Sequence, residues 1–104
     1  MSQMYKSIAI IGKHYNVEVS QVVVFLYKLL SKYDSEIFVE TESAEDLAIK
    51  NLKTKTMQEI ARDCDIAIVV GGDGSFLQAS RILALYSDIY IVGVNKGKLG
   101  FLTT

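Results

Sequence analysis

Asp65-Ile66-Ala67-Ile68-Val69-Val70-Gly71-Gly72-Asp73-Gly74-Ser75 is the stretch that decides the fold. Its first half is an unbroken apolar run. Such a run marks a strand buried on both faces, as in a parallel sheet covered by helices. Gly71 to Gly74 end it abruptly. Ser75 can then cap a helix that carries Phe76, Leu77, Ala79, Ile82 and Leu83 on its apolar positions.

The same grammar extends outward. Downstream, Ile89 to Val94 is a second fully apolar strand, followed by a loop, Asn95-Lys96-Gly97-Lys98-Leu99-Gly100. Upstream, Ser7 to Ile11 is a short buried strand that stops at Gly12. Val19, Val22, Val23, Leu26, Leu30 and Tyr33 then recur at spacings of three and four, which makes one face of a helix. The triplet Val22-Val23-Val24 favours strand locally, but the segment is far longer than an ordinary strand of about 5–6 residues. Glu36 to Val39 reads as another short strand. Thr41 to Asp63 is more polar and holds two capping-box patterns, Ser43-Ala44-Glu45-Asp46 and Thr56-Met57-Gln58-Glu59. Two short helices are expected there, with a loose connection near Asn51 to Lys55.

Strands alternating with helices predict an α/β fold: an open, mostly parallel sheet with flanking helices and right-handed crossovers. Ligands of such sheets bind beyond the carboxyl ends of the strands. Both glycine-rich loops follow a strand's carboxyl end, so they belong to one edge and one site can use both.

The bulk numbers bound the function. The chain has 104 residues, enough for one domain, 1–104, with no repeat or linker. Its 11 basic and 12 acidic residues leave no basic footprint for nucleic acid. The single cysteine, Cys64, excludes an internal disulfide and suits a reducing compartment. No apolar run approaches the ~18 residues of a membrane span, and the first residues lack a signal peptide's apolar core. A cytoplasmic protein without membrane or nucleic-acid partners is expected. The end at Phe101-Leu102-Thr103-Thr104, straight after a glycine-rich segment, is expected for one domain of a longer protein.

Strand, glycine turn and helix together suit an anion. Glycines let a ligand approach the backbone and permit positive φ, and the N–H groups and dipole of a helix N-terminus attract phosphate. A carboxylate in such a turn repels phosphate. Asp73 makes sense there if it takes a proton from an attacking hydroxyl or helps hold a divalent cation, both parts of phosphoryl transfer. The plainer alternative is a tight turn with Asp73 solvated or capping the helix. The turn is no Walker A loop, since no Gly-Lys-Ser/Thr ends it. Nor is it a dehydrogenase loop: Gly12-Lys13-His14-Tyr15 lacks the glycine pattern, and Leu77 stands where a third glycine would follow Gly72 and Gly74. His14 and Lys13 read as solvated loop residues, and Lys96 and Lys98 as steering charges at most. Cys64, between Asp63 and Asp65, reads as unreactive because those acids raise its pKa. Tyr27, Tyr33, Tyr86 and Tyr90 read as packing residues.

Gly71-Gly72-Asp73-Gly74-Ser75 resembles the Gly-Gly-Asp-Gly signature of a superfamily that holds NAD kinases, lipid kinases and 6-phosphofructokinases. The turn alone does not choose among them, and Ser75 is the usual phosphofructokinase form where NAD kinases more often carry threonine. The second segment chooses. Gly93-Val94-Asn95-Lys96-Gly97-Lys98-Leu99-Gly100-Phe101-Leu102-Thr103 resembles the NAD kinase pattern Gly-Ile/Val-Asn-x-Gly-x-Leu-Gly-Phe-Leu, and Phe76-Leu77 also fits. The strong resemblance covers Asp65 to Thr103; the first 60 residues agree in layout only.

The resemblance implies a Rossmann-like N-terminal domain of an NAD kinase, without the mostly β second domain that carries an Asn-Glu/Asp pair for NAD. It implies phosphate transfer from ATP, or polyphosphate in some members, to the adenosine-ribose 2′-hydroxyl of NAD, with a divalent cation, normally Mg2+. Asp73 would be the general base. Gly72 and Gly74 would admit the dinucleotide, Leu77 and Phe101 would line the adenosine pocket, and Leu102 would sit beside it. Asn95 would shape its loop. No residue is assigned to a metal. A homo-oligomer is implied for the whole protein, and little activity for this half alone. Another kinase of the superfamily, or a non-catalytic nucleotide-binding module, are the alternatives.

Overall fold

In the computed structural model, residues 7–12, 17–45, 47–95 and 98–103 are described, Asp73 and 98–103 by their backbone alone. The elements run β1 (Ser7–Gly12), α1 (Val17–Leu30), β2 (Glu36–Glu40), β3 (Thr54–Lys55), α2 (Met57–Asp63), β4 (Ile66–Val70), α3 (Asp73–Ala84), β5 (Tyr90–Asn95) and β6 (Lys98–Thr103). They form one sheet of order β3-β2-β1-β4-β5-β6. The first five strands pair in parallel and β6 returns antiparallel to β5. The expected open α/β sheet is present, with an antiparallel strand on one edge.

Alternation along the central strands sorts their side chains between two layers. Ile8 and Ile10 of β1 and Val70 of β4 pack with Val19 and Val23 of α1. Ala9 of β1, Ala67 and Val69 of β4 and Ile91 of β5 pack with Ile60 and Ala61 of α2 and Ala79 and Leu83 of α3. One helix covers one face, and two cover the other. Ile10, Ile60 and Leu83 are fully buried, each stabilising the fold by roughly 1.5–3 kcal/mol. The layer assignment explains why β1 from Ile8 to Ile11 and the whole of β4 are apolar: helices cover both faces.

Three expectations need correction. No helix follows Ser43. Residues 41–45 form turns, because Glu40 lies upstream and takes the donors a capping box would use. Its carboxylate accepts hydrogen bonds from the Glu42 N–H at 2.9 Å, the Ser43 N–H at 3.0 Å and the Ser43 hydroxyl at 2.7 Å. The loose connection contains a strand: Thr54 and Lys55 pair with Val39 and Glu40 at the sheet edge. Lys98 to Thr103, expected to begin in a loop, is β6, with Asn95 opposite Lys98 and a register shift between Val92 and Val94. Boundaries also moved. β1 and β2 each run one residue further, and α1 ends at Leu30, leaving Tyr33 65% exposed rather than on the apolar face.

Thr56 behaves as its pattern predicts. Its hydroxyl accepts from the Glu59 N–H at 3.2 Å and the Glu59 carboxylate accepts from the Thr56 N–H at 2.9 Å. Ser43 is buried and its oxygen also accepts from the Gly12 N–H at 2.8 Å, joining the ends of β1 and β2. Thr56→Ala should cost about 1 kcal/mol, the usual value of an exposed cap. Ser43→Ala should cost more, about 1–3 kcal/mol, because it leaves the buried Gly12 N–H without its acceptor and removes one of the donors to the Glu40 carboxylate. Urea denaturation of both variants checks the order.

Candidate functional site

The turn after β4 is made by Gly71. Its φ of +150° is a conformation that side-chain-bearing residues rarely adopt. Its N–H donates to the Val94 carbonyl at 2.9 Å, one step past the last paired residues, Val70 and Val94. A Cβ there would also meet Ser75 Cβ and Oγ at 3.0 Å. The chain then leaves the sheet and helix α3 begins.

That helix starts three residues earlier than expected. Gly72 is its N-cap, with no side-chain cap, and Asp73 is its first residue, so Ser75 is no cap but lies within the first turn. With no side chain on Gly72, the opening N–H groups of α3 are left for solvent or ligand. Gly72 and Gly74 are exposed, and a Cβ at either would meet nothing within 4 Å. Their value is therefore an unobstructed approach rather than strain relief. Asp73 occupies the position where the helix dipole favours an anion; its side chain lies outside the described residues.

The second segment is set against the first through β5. Gly93 is buried beneath Phe76 of α3, where a Cβ would come within 2.7 Å of the ring's Cδ1 and 3.0 Å of Cε1. Leu77 is 55% exposed on α3. Leu102 pairs with Val92 along β6, and Phe101 precedes it on that strand. The sheet thus carries Gly72, Asp73, Gly74 and Leu77 on the element after β4, and Phe101 and Leu102 on the strand after β5. The side chains of Phe101 and Leu102 lie outside the described residues, as do Lys13, His14 and Lys96.

A cleft that the sequence did not announce opens on the other flank of α3. It has a volume of about 240 Å³. The ends of β1 and β4 form its floor, at Gly12 and Val70, and Ser75, Gln78 and Ile82 of α3 form one wall. Glu40 at the end of β2, with Glu42 and Ser43 just after it, lines it opposite. The floor lies where chain direction diverges, with α1 leaving β1 on one face and α3 leaving β4 on the other. Open α/β sheets bind ligands at such points. The signal available beforehand was Glu40 at a strand's carboxyl end, in Glu36-Ile37-Phe38-Val39-Glu40, ahead of a serine turn.

No group of three or more His, Cys, Asp or Glu among the described residues is placed to hold a metal ion. The Glu40 carboxylate is occupied by three protein donors. The described residues do not form a metal cage. Cys64 is buried, and burial pushes its thiol up to about 11, with Asp63, Asp65 and Glu36 adding to the effect against Lys55. The neighbouring acids act in the expected direction, but desolvation leads. Of the tyrosines, Tyr27 packs beside the α1 layer, whereas Tyr86 and Tyr90 are 49% and 42% exposed. The Tyr86 hydroxyl accepts from the Gln58 amide at 2.9 Å.

Fold and site together define a doubly wound α/β domain with a glycine turn at a helix N-terminus. Residues 8–104 match the model of the ATP-NAD kinase N-terminal domain, and the chain belongs to that family. It is 56% identical over its full length to an NAD kinase of Francisella tularensis subsp. holarctica. It is 45% identical over 103 residues to an NAD kinase of Colwellia psychrerythraea, and 43% over 103 residues to one of Enterobacter sp. strain 638. The chain spans about a third, 35%, of the length of each of these relatives.

Three outcomes follow from the packing. Gly93→Ala should displace Phe76 and cost about 1–3 kcal/mol in a denaturation measurement, the range for overpacking. Iodoacetamide at pH 8 should leave Cys64 largely unmodified until denaturant is added. Because the folded thiol pKa is raised above its ordinary value of 9.0, the stability it contributes is complete below pH 9. It is lost as pH rises toward about 11, and Cys64→Ala should flatten that decline.

Proposed function

We propose that this chain is the N-terminal domain of an NAD kinase, which transfers the terminal phosphate of ATP to the 2′-hydroxyl of the adenosine ribose of NAD. The observation that carries the reading is the turn at Gly71, which opens α3 with exposed glycines around Asp73, on the same sheet edge as the Asn95–Lys98 hairpin. Family membership supports it.

In this reading the free N–H groups at the start of α3 hold the donor's phosphates, and the dipole steadies the charge that builds on the transferred group. Asp73 accepts the proton of the 2′-hydroxyl as that oxygen attacks phosphorus. Leu77, with Phe101 and Leu102 on the neighbouring strand, receives the adenosine of NAD. Gly72 and Gly74 leave room for the dinucleotide. A divalent cation, normally Mg2+, is read as arriving on the donor's phosphates, as that ion commonly does. A second, mostly β domain completes the NAD site. The whole protein is read as a cytoplasmic homo-oligomer.

A phosphofructokinase-like reading rests on Ser75 alone, and the family match is against it. Asp73→Asn in the full-length protein should lower kcat by ~10²–10⁴, the range for losing a general base, with a smaller change in KM. NADP formation with NAD and ATP measures both. A near-wild-type kcat in that variant rejects the assignment.

A further inference from the structure

We propose that Phe76 is a positioning residue for the phosphoryl transfer: its ring, seated on Gly93, clamps the first turn of α3 to β5 and so sets Asp73 against the strand that carries Phe101 and Leu102. The inference rests on the reading of this chain as the N-terminal domain of an NAD kinase, and names the contact that holds its two glycine-rich segments in fixed relation.

The first observation is how close the ring lies. A Cβ at Gly93 would come within 2.7 Å of Phe76 Cδ1, 3.0 Å of Cε1 and 3.4 Å of Cγ. Positive φ is not the reason for glycine here, because Gly71 alone among the described glycines has it. Residue 93 lacks a side chain so that a strand backbone and an aromatic ring can touch.

The second observation is what the contact holds. Phe76 follows Asp73 by three residues on α3, so the two positions are neighbours on the helix surface. One residue along β5 from Gly93, the Val94 carbonyl accepts from the Gly71 N–H. The glycine turn and the first helical turn are thus fastened to adjacent residues of one strand. Ala79 and Leu83 also pack α3 onto the sheet, but they lie roughly two and three turns beyond Asp73. Of the α3 side chains packed against that core, Phe76 is the nearest to the acid.

The third observation lies across the strand. β5 and β6 pair Val92 with Leu102 and Val94 with Leu99. Gly93 of β5 therefore stands opposite two residues of β6, Gly100 and Phe101. This is a β-bulge, a device that redirects a strand beside a functional site. Helix, strand and bulge are keyed together at Gly93. To reach ordinary contact with a Cβ there, the ring must withdraw by about 0.7 Å or more. A misplacement of about 1 Å at reacting atoms can lower a rate by ~10².

The test is a cycle of two substitutions in the full-length protein. Gly93→Ala crowds the ring, Phe76→Leu shrinks it, and the double variant joins the smaller side chain to the larger floor. Leu83→Val, a core change at the far end of α3, controls for stability. NADP formation is measured at a temperature where circular dichroism shows every variant folded. The expected kcat falls ~10-fold or more in Gly93→Ala and ~5-fold or more in Phe76→Leu, and returns to within about threefold of the unsubstituted protein in the double variant. KM for ATP and for NAD stays within about threefold, because alignment counts most in the transition state. Leu83→Val keeps kcat within about twofold while its Tm drops. Near-wild-type kcat in both single variants overturns the proposal. So does a double variant no faster than the slower single one, or a Leu83→Val loss equal to that of Gly93→Ala. If Gly93→Ala does not fold, Phe76→Leu against the double variant decides by the same rescue. Failure of the underlying reading looks different: the unsubstituted protein then makes no NADP at all.

Discussion

The hydrogen bond from the Gly71 N–H to the Val94 carbonyl, 2.9 Å long, is the constraint on which the rest of this molecule depends. It continues the β4–β5 ladder by one step and is formed by a residue at φ +150°, so pairing ends and the chain turns at the same residue. Every feature of the site is placed relative to that point. Helix α3 starts two residues later with its N–H groups open, and Phe76 settles onto Gly93 because β5 is locked beside β4. The hairpin of β5 and β6 then brings the second glycine-rich segment back along the same edge.

The two-layer packing makes this geometry rigid. Ala79 and Leu83 anchor α3 on the face shared with α2, while its first turn projects past the sheet. The buried half of the helix resists movement, and the exposed half presents Gly72, Gly74 and Leu77. A phosphate site on such a helix is preorganised by the hydrophobic core rather than by local contacts of its own. The acid at Asp73, awkward beside phosphate in isolation, takes its sense from this setting. It stands between the cleft and the flank that carries Leu77.

The sequence was most legible where one physical requirement dominated. Ile66 to Val70 had to be a strand buried on both faces, and the glycines after it had to be a turn. Thr56 and Glu59 formed their capping box because nothing nearby competed. Ser43 shows the opposite case. The same local pattern failed because Glu40, three residues upstream and at a strand end, captured its N–H and hydroxyl. Thr54-Lys55 and Lys98 to Thr103 were illegible as strands for another reason. Both are edge strands specified by a neighbour's free backbone groups, which leave little mark on hydrophobic pattern. The cleft escaped notice because its lining comes from five elements far apart in sequence. The two glycine-rich segments could be assigned to one edge because each follows one of two consecutive parallel strands.

The central claim is that the opening turn of α3, set by Gly71, is where nucleotide phosphate meets the protein. It is tested most directly by following backbone amide resonances of the full-length protein during titration with NAD and with ATP. The account predicts that the largest shifts fall at Gly72, Asp73, Gly74 and Ser75 for both ligands, with Leu77 responding to NAD. Saturable binding that leaves these amides unmoved, with shifts concentrated on α1 instead, would contradict it.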